Sequence, residues 1–169
     1  MQQRLIFVLA LLLLIPPSLN SAQDSAVVET TIKTLTVDPT TESPVVILES
    51  VKDKQLLPIW IDLPEARAIA LELEHVKIPR PMTHDLIRNI LQELGAQLRR
   101  VTITDLRNGT YYAALSVGFK GQELQIDSRP SDAIAIALRA KTPIYVATQV
   151  FEKSKAVPTP AARPEGQKT

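Results

Sequence analysis

The feature that most constrains the fold is a seven-residue pattern that occurs twice in the chain, 67 residues apart. Residues 65–71 read EARAIAL and residues 132–138 read DAIAIAL, so both copies have the form acid-Ala-x-Ala-Ile-Ala-Leu. Each copy follows three short runs of strand-forming residues, and the third run ends with Ile-Asp both times. An alanine-rich match of this length can arise by chance, but the shared context predicts two duplicated β-β-β-α units.

The order of elements predicted from the whole sequence is β-β-β-α-α-β-β-β-α-β. β-Branched residues mark the first strand, at 27–38. Asn108-Gly109 is typical of a two-residue hairpin turn between two later strands. The pattern predicts the α+β class, with the internally duplicated units forming one mixed sheet packed with helices in a single domain.

The N-terminus has the three-part plan of a secretory signal peptide, predicted here for residues 1–22. Arg4 precedes eleven unbroken apolar residues at 5–15, and a stretch of small residues ends at Ala22. A membrane-spanning helix needs about 20 apolar residues, so this segment is short for one. We expect cleavage near Ala22 and a periplasmic or extracellular protein, with retention by an uncleaved N-terminal segment as the alternative.

The rest of the chain divides into a folded domain at 23–153 and a disordered tail at 154–169. The tail contains three prolines and scattered charge, with little apolar surface to bury.

Composition excludes several classes of site. The chain has no cysteine, which excludes disulfides, thiolate metal sites and a cysteine nucleophile. Residues 27–152 contain 14 Lys+Arg against 16 Asp+Glu, a net charge of −2. A domain of this charge lacks the broad positive field of strong nucleic-acid binders, so any such binding is expected to be weak and salt-dependent.

Ionisable residues are concentrated where helices are expected to begin. The acidic and histidine residues at these starts are Asp62, Glu65, His84, Asp85, Asp127 and Asp132, and two of the starts follow Arg80-Pro81 and Arg129-Pro130. Acids at helix N-termini gain about 0.3–1 kcal/mol from the helix dipole and need no other role. An Arg beside an Asp can be a simple ion pair. A structural role and a functional site therefore both stay open, and His84 is a better candidate than His75, which lies among charged neighbours.

Five separated motifs, in order, resemble the bifunctional nuclease domain family. They are LPIWI at 57–61, EA at 65–66, RPMTHDL at 80–86, TYYA at 110–113 and IDSRPSDAI at 126–134. The resemblance covers about residues 27–153 and implies a small α+β domain with RNase and DNase activity. Asp62 departs from the family pattern, which often has glycine at this position.

The resemblance also implies a site. If the chain has the nuclease activity that the resemblance implies, we expect carboxylates that bind Mg²⁺ or Mn²⁺ to catalyse phosphodiester hydrolysis, since hard oxygen ligands suit these ions. The expected metal ligands and catalytic acids are Glu65, Asp85 and Asp132, with Asp127 in reserve. His84 is the expected general acid or base, and Arg80 and Arg129 are expected to bind the phosphate.

Two other classes of function stay open at this point. The chain could be an exported, non-catalytic binding or assembly module, with the apolar third helix and the edge strands available for a homodimer interface. It could also hold a small ligand in a pocket between the two halves. A nuclease requires the helix starts to meet in space, which the sequence alone does not establish.

Overall fold

A computed structural model of the chain describes residues 26–156. The elements in chain order are β1 Val27–Val37, β2 Pro44–Ser50, β3 Leu56–Trp60, α1 Leu63–Leu73, α2 Thr83–Glu93, β4 Gln97–Arg107, β5 Thr110–Phe119, β6 Gln122–Ser128, α3 Pro130–Ala140, β7 Ile144–Ala147 and α4 Thr148–Lys155. The predicted signal peptide and residues 157–169 of the predicted tail lie outside the described residues, whereas α4 continues to Lys155, two residues past the predicted end of the folded domain. No helix among residues 26–156 is long and apolar enough to cross a bilayer.

The strands form one seven-stranded mixed sheet in the order β3-β2-β1-β7-β4-β5-β6. Each half contributes an antiparallel meander of three strands, and β7 lies between the two meanders. β7 pairs antiparallel with β1 and parallel with β4. The predicted α+β class, mixed sheet and single domain are confirmed, whereas the duplication behind the two similar halves stays a prediction.

The turns follow from local sequence. Asn108 and Gly109 have φ values of 49° and 76° and close the β4–β5 hairpin. Two successive positive φ values match the right-handed twist of the flanking strands, and glycine accepts such a value without steric cost. The Asn-Gly prediction is therefore confirmed.

The two copies of the repeated pattern form α1 and α3, which pack against each other. Ala66 and Ala68 of α1 are buried, as are Ala133, Ala135 and Ala137 of α3. These small side chains let the two helices approach closely. Because α3 is buried within its own chain, it is not available for the homodimer interface considered above.

The sheet is strongly curved. Tyr111 of β5 donates a hydrogen bond from its hydroxyl to the carbonyl oxygen of Pro58 in β3, at 3.1 Å. Four strands separate β3 from β5 in the sheet order. Curvature therefore brings the β4–β5 hairpin back against the first meander, and the start of α3 lies at this junction.

Candidate active site

The N-terminal turns of three helices meet at one place in the fold. α1 contributes Glu65, α2 contributes His84 and α3 contributes Asp132. They meet because α1 and α2 both pack on α3 with their first turns near its start. Glu65 and Asp132 both contact the side chain of Arg129, and His84 contacts Asp132.

Arg129 links two of these helices. Its Nη2 donates to Oε1 of Glu65 at 2.6 Å, and its Nε donates to Oδ2 of Asp132 at 2.7 Å. Its side chain nevertheless remains 58% exposed. Hydrogen bonds from Asp132 and Glu65 raise the pKa of Arg129 further above its ordinary value, so the guanidinium stays charged. Arg129 is thus a fixed cation that solvent and ligands can reach.

Asp132 is held from both sides. Burial raises its pKa, but hydrogen bonds from Arg129 and His84 outweigh this effect, so the pKa of Asp132 lies below its usual value. The carboxylate is therefore ionised at neutral pH. Its side chain is 29% exposed, so a water molecule or substrate can still contact it.

His84 is buried, with Nε2 lying 3.0 Å from Oδ1 of Asp132. Because Asp132 is ionised, we assign the proton to Nε2, which then donates to the carboxylate. This bond fixes the orientation of both side chains. A lone histidine at a helix start is usually a surface residue, and burial against an acid distinguishes this one.

Asp62 adds a further negative charge at the rim. Its Oδ2 lies 3.9 Å from Nη1 of Arg129, and its side chain is 74% exposed. The negative charge of the three carboxylates, Asp62, Glu65 and Asp132, exceeds the single positive charge of Arg129. The residue that departs from the family pattern therefore makes the site more acidic.

Asp85 does not join this cluster. Its Oδ1 accepts a hydrogen bond from Nε of the buried Arg139 at 3.0 Å, and its Oδ2 accepts one from the backbone N–H of Met82 at 3.1 Å. The second bond caps α2, which begins at Thr83 with Met82 as its N-cap. Both oxygens of Asp85 thus have structural partners.

Arg80 and Asp127 also lie apart from the cluster. Arg80 is exposed, and the described residues give it no ion pair within 4.0 Å. Asp127 is exposed on β6. It lines a groove that also includes Asp132. The structure therefore brings together four of the seven predicted site residues: Glu65, His84, Arg129 and Asp132.

The donors of this cluster do not form a metal site as arranged. Within residues 26–156, no three His, Asp or Glu side chains converge so as to hold an ion. Both oxygens of Asp132 and one oxygen of Glu65 already accept hydrogen bonds from His84 or Arg129. A cation at this place would have to displace Arg129 from its carboxylate partners.

Two cavities border the cluster. A groove of about 560 Å³ beside Asp132 has an apolar wall that includes Ile87 and Ile126. A cleft of about 370 Å³ lies on the other side of Arg129, between the two halves, and is lined by Trp60 and Tyr111. Arg129 lines both the groove and the cleft, so an extended polymer could cross Arg129 from the groove into the cleft.

The sequence matches the bifunctional nuclease domain over residues 46–159, a segment that includes the whole cluster. The chain belongs to the bifunctional nuclease domain family. The resemblance stated from the motifs is thereby confirmed.

Individual relatives support the same family. An uncharacterized protein of Mycobacterium tuberculosis (strain H37Rv) is 44% identical over 118 residues, which are 70% of each chain. Bifunctional nuclease 2 of Arabidopsis thaliana is 36% identical over 95 residues, 54% of this chain and 29% of the plant protein. Bifunctional nuclease 1 of Oryza sativa subsp. indica is 33% identical over 94 residues, 54% and 28% of the two chains. The chain thus corresponds to less than a third of these two plant proteins.

Arg139 is the residue of this bifunctional nuclease domain that sequence reasoning missed. It is 5% exposed and donates to Asp85, to the carbonyl oxygen of Ala135 and to that of Ala68. It therefore ties α3 to both α1 and α2 behind the site. The sequence did contain a signal for this role, since Arg139 lies near the end of a helix that is otherwise nearly all apolar. A charged group on a buried helix must find hydrogen-bond partners inside the fold.

Proposed function

We propose that this bifunctional nuclease domain hydrolyses phosphodiester bonds of RNA, DNA or both. The proposal rests on one observation: an exposed arginine fixed by two carboxylates, with an ionised Asp132 supported by a buried histidine next to it. Family membership and the names of the plant relatives support the same chemistry.

In the proposed reaction, Arg129 binds a non-bridging phosphate oxygen. Its Nη1 has only a distant partner, Asp62 at 3.9 Å, so this N–H group is the one most available to a ligand. Charge on the phosphoryl oxygens grows as the nucleophile attacks, and a guanidinium held in place stabilises it without reorganising. Glu65 acts as a positioning residue, because it fixes the guanidinium.

Asp132 orients the attacking water and accepts its proton. The carboxylate can contact solvent, whereas His84 is buried behind it, so His84 is a positioning residue for Asp132. The bond from water oxygen to phosphorus forms as the bond to the leaving sugar oxygen breaks, and solvent protonates that oxygen.

We also propose that Mg²⁺ or Mn²⁺ assists the reaction. The excess of acids over Arg129 supports it, because a phosphate approaching this cluster meets net negative charge. No step above depends on the ion.

The experiment is a cleavage assay with the purified protein on single-stranded RNA and single-stranded DNA. Each substrate is incubated with Mg²⁺, with Mn²⁺ and with EDTA. We expect weak, nonspecific cleavage that falls as salt rises with a modest slope, because that slope grows with the number of cationic contacts and few of them hold the substrate. Loss of cleavage in EDTA would support the proposed assistance by a divalent metal ion. Absence of cleavage in every condition would overturn the proposed activity.

The second candidate is a non-catalytic assembly module, which one surface favours. Leu86 and Ile90 of α2 and its C-cap residue Leu94 are exposed and follow one another at four-residue spacing along one helix face. We propose that a second copy of the chain covers this stripe, as the same surface on both copies can meet across a twofold axis.

For this dimer, Ile90→Glu should shift the protein to monomer in sedimentation equilibrium, because a charge would be buried in the interface. Val51→Glu, an apolar-to-acid change at another exposed position, should leave the dimer intact. A wild-type protein that is monomeric at high concentration would refute the interface.

Export also stays a proposal. It depends on residues 1–22, and processing near Ala22 can be read from the N-terminal sequence of the protein recovered outside the cytoplasm.

A further inference from the structure

The groove of about 560 Å³ beside Asp132 lies on the face of the sheet that α3 covers. Leu115 and Val117 of β5 line it and are almost fully buried. Ile126 of β6 also lines it and pairs with Leu115 in the antiparallel register, so both side chains lie on the same face of the sheet. This apolar groove therefore extends the hydrophobic core outward to the last strand.

The helices leave that last strand partly uncovered. α3 packs on β4 and β5. On the same face of the sheet, Leu124 and Ile126 of β6 are 40% and 42% exposed. The covered face of an antiparallel sheet normally buries its apolar side chains. The fold thus leaves an accessible aliphatic surface directly beside the candidate active site.

The groove begins where the His84–Asp132 pair ends. On α2, Ile87 follows His84 by three residues, and on α3, Ile136 follows Asp132 by four. Residues at these spacings share one helix face. Both isoleucines line the groove. Each helix therefore presents a polar side chain at the site and an aliphatic one about 5 Å further along its axis.

Charge is confined to one end of the groove. Arg129, Asp127 and Asp132 lie at the start of α3, and the lining beyond them is aliphatic apart from Ser128. Among the described residues, Arg129 is the one cation in this lining. A phosphate therefore finds a partner only at that end, and the remainder of the groove suits an uncharged group with apolar surface.

The outer wall of the groove is an edge strand. β6 pairs with β5 and ends the strand order of the sheet. An edge strand has backbone N–H and C=O groups that no neighbouring strand satisfies. The groove thus combines aliphatic side chains with free hydrogen-bonding groups along one side.

We propose that the apolar groove binds the nucleobase of the nucleotide whose phosphate Arg129 holds. The inference rests on the proposed function, since it assigns the scissile phosphate to Arg129. A nucleobase is uncharged, packs its flat faces on apolar side chains and has donors and acceptors along its edge. Base packing supplies affinity that a domain with a net charge of −2 over residues 27–152 does not obtain from phosphate contacts.

The test compares two labelled single-stranded chains of six units with equal charge. One is oligothymidylate, and the other carries a tetrahydrofuran unit at each position, which removes every base and keeps every phosphate. Binding is measured by fluorescence anisotropy in EDTA, with a gel check that both chains stay intact. The variant is Ile126→Ser. Leu124→Ser is the matched control, because Leu124 has the same strand, face and nearly the same exposure but lies outside the groove.

We expect the wild-type protein to bind the thymidine chain about tenfold more tightly than the abasic chain. Ile126→Ser should weaken binding of the thymidine chain about fivefold, because part of the aliphatic wall is lost, and should leave the abasic chain unchanged. Leu124→Ser should match wild type on both chains. Equal binding of the two chains by wild type, equal losses in the two serine variants, or no binding of either chain would overturn the proposal.

Two further outcomes separate this inference from the proposed function. Cleavage of oligothymidylate by a protein that binds both chains equally would overturn the groove and leave the nuclease standing. Binding that depends on the bases and on Ile126, without cleavage in Mg²⁺ or Mn²⁺, would support the groove and overturn the nuclease. Conversion of a dimer to monomer by Ile126→Ser, with binding that ignores the bases, would overturn the nucleobase in favour of a second copy of the chain.

Discussion

Asp132→Asn should lower the rate of nucleic-acid cleavage by roughly 10²- to 10⁴-fold, the usual effect of losing a proton acceptor at the reacting centre. The asparagine keeps an oxygen that can accept the hydrogen bond from His84, but it has no negative charge and cannot take a proton from water. Asp132 is ionised in the folded protein because Arg129 and His84 outweigh the effect of burial on its pKa. The rate should also fall on acidification, but only below the ordinary titration range of an aspartate, because the pKa of Asp132 is lowered.

The measurement is the initial rate on a single-stranded oligonucleotide, with substrate binding measured separately. Asp53→Asn, the same change in the turn between β2 and β3, is the control and should retain full activity. Thermal unfolding should show a stability loss of about 1 kcal/mol for Asp132→Asn, because its ion pair with Arg129 is partly exposed and asparagine can still accept the hydrogen bond from His84. Wild-type cleavage by a folded Asp132→Asn protein would show that the reaction occurs elsewhere or comes from a contaminant.

Arg139→Met should reduce the free energy of unfolding by about 3–5 kcal/mol, the usual consequence of removing one member of a buried ion pair. The Arg139 side chain is 2% exposed, and its three nitrogens donate to Asp85, Ala135 and Ala68. Its loss leaves the Asp85 carboxylate without its cation and two carbonyl oxygens without donors. Urea denaturation measures the change.

The matched control is Arg67→Met, at an exposed position of α1, which should stay within about 0.5 kcal/mol of wild type. Asp85→Leu combined with Arg139→Met should cost less than the two single changes added together, because the charges are then removed as a pair. Strict additivity would show that the two side chains do not interact.

Asp85 also separates the sequence hypothesis from the structure. If Asp85 is a metal ligand, Asp85→Asn should abolish cleavage at every temperature. If Asp85 is instead the structural partner of Arg139, Asp85→Asn should leave the cleavage rate per folded molecule unchanged and lower the midpoint temperature of unfolding. The geometry favours the second result, since both carboxylate oxygens already have partners.

Local physical chemistry determined most of the fold. The Asn108-Gly109 turn, the prolines at helix starts and the alternation of apolar residues act over a few neighbours, so the sequence predicts them directly. The exact helix starts depend on capping contacts: α2 begins at Thr83 with Met82 as its N-cap, because Asp85 accepts a hydrogen bond from the amide of Met82. α3 begins at Pro130, with Arg129 as its N-cap.

Only the tertiary structure decided which charged side chains form the site. Arg80 and Arg129 have the same Arg-Pro context, but Arg129 alone lies where α1 and α3 begin side by side. His84 and Asp85 are adjacent in sequence and point about 100° apart on a helix, so one faces Asp132 and the other faces Arg139. Residue types and helix starts were thus determined by the sequence itself. Their partners were decided by how three helices pack on one curved sheet, because contacts between residues 48 to 67 positions apart depend on that packing.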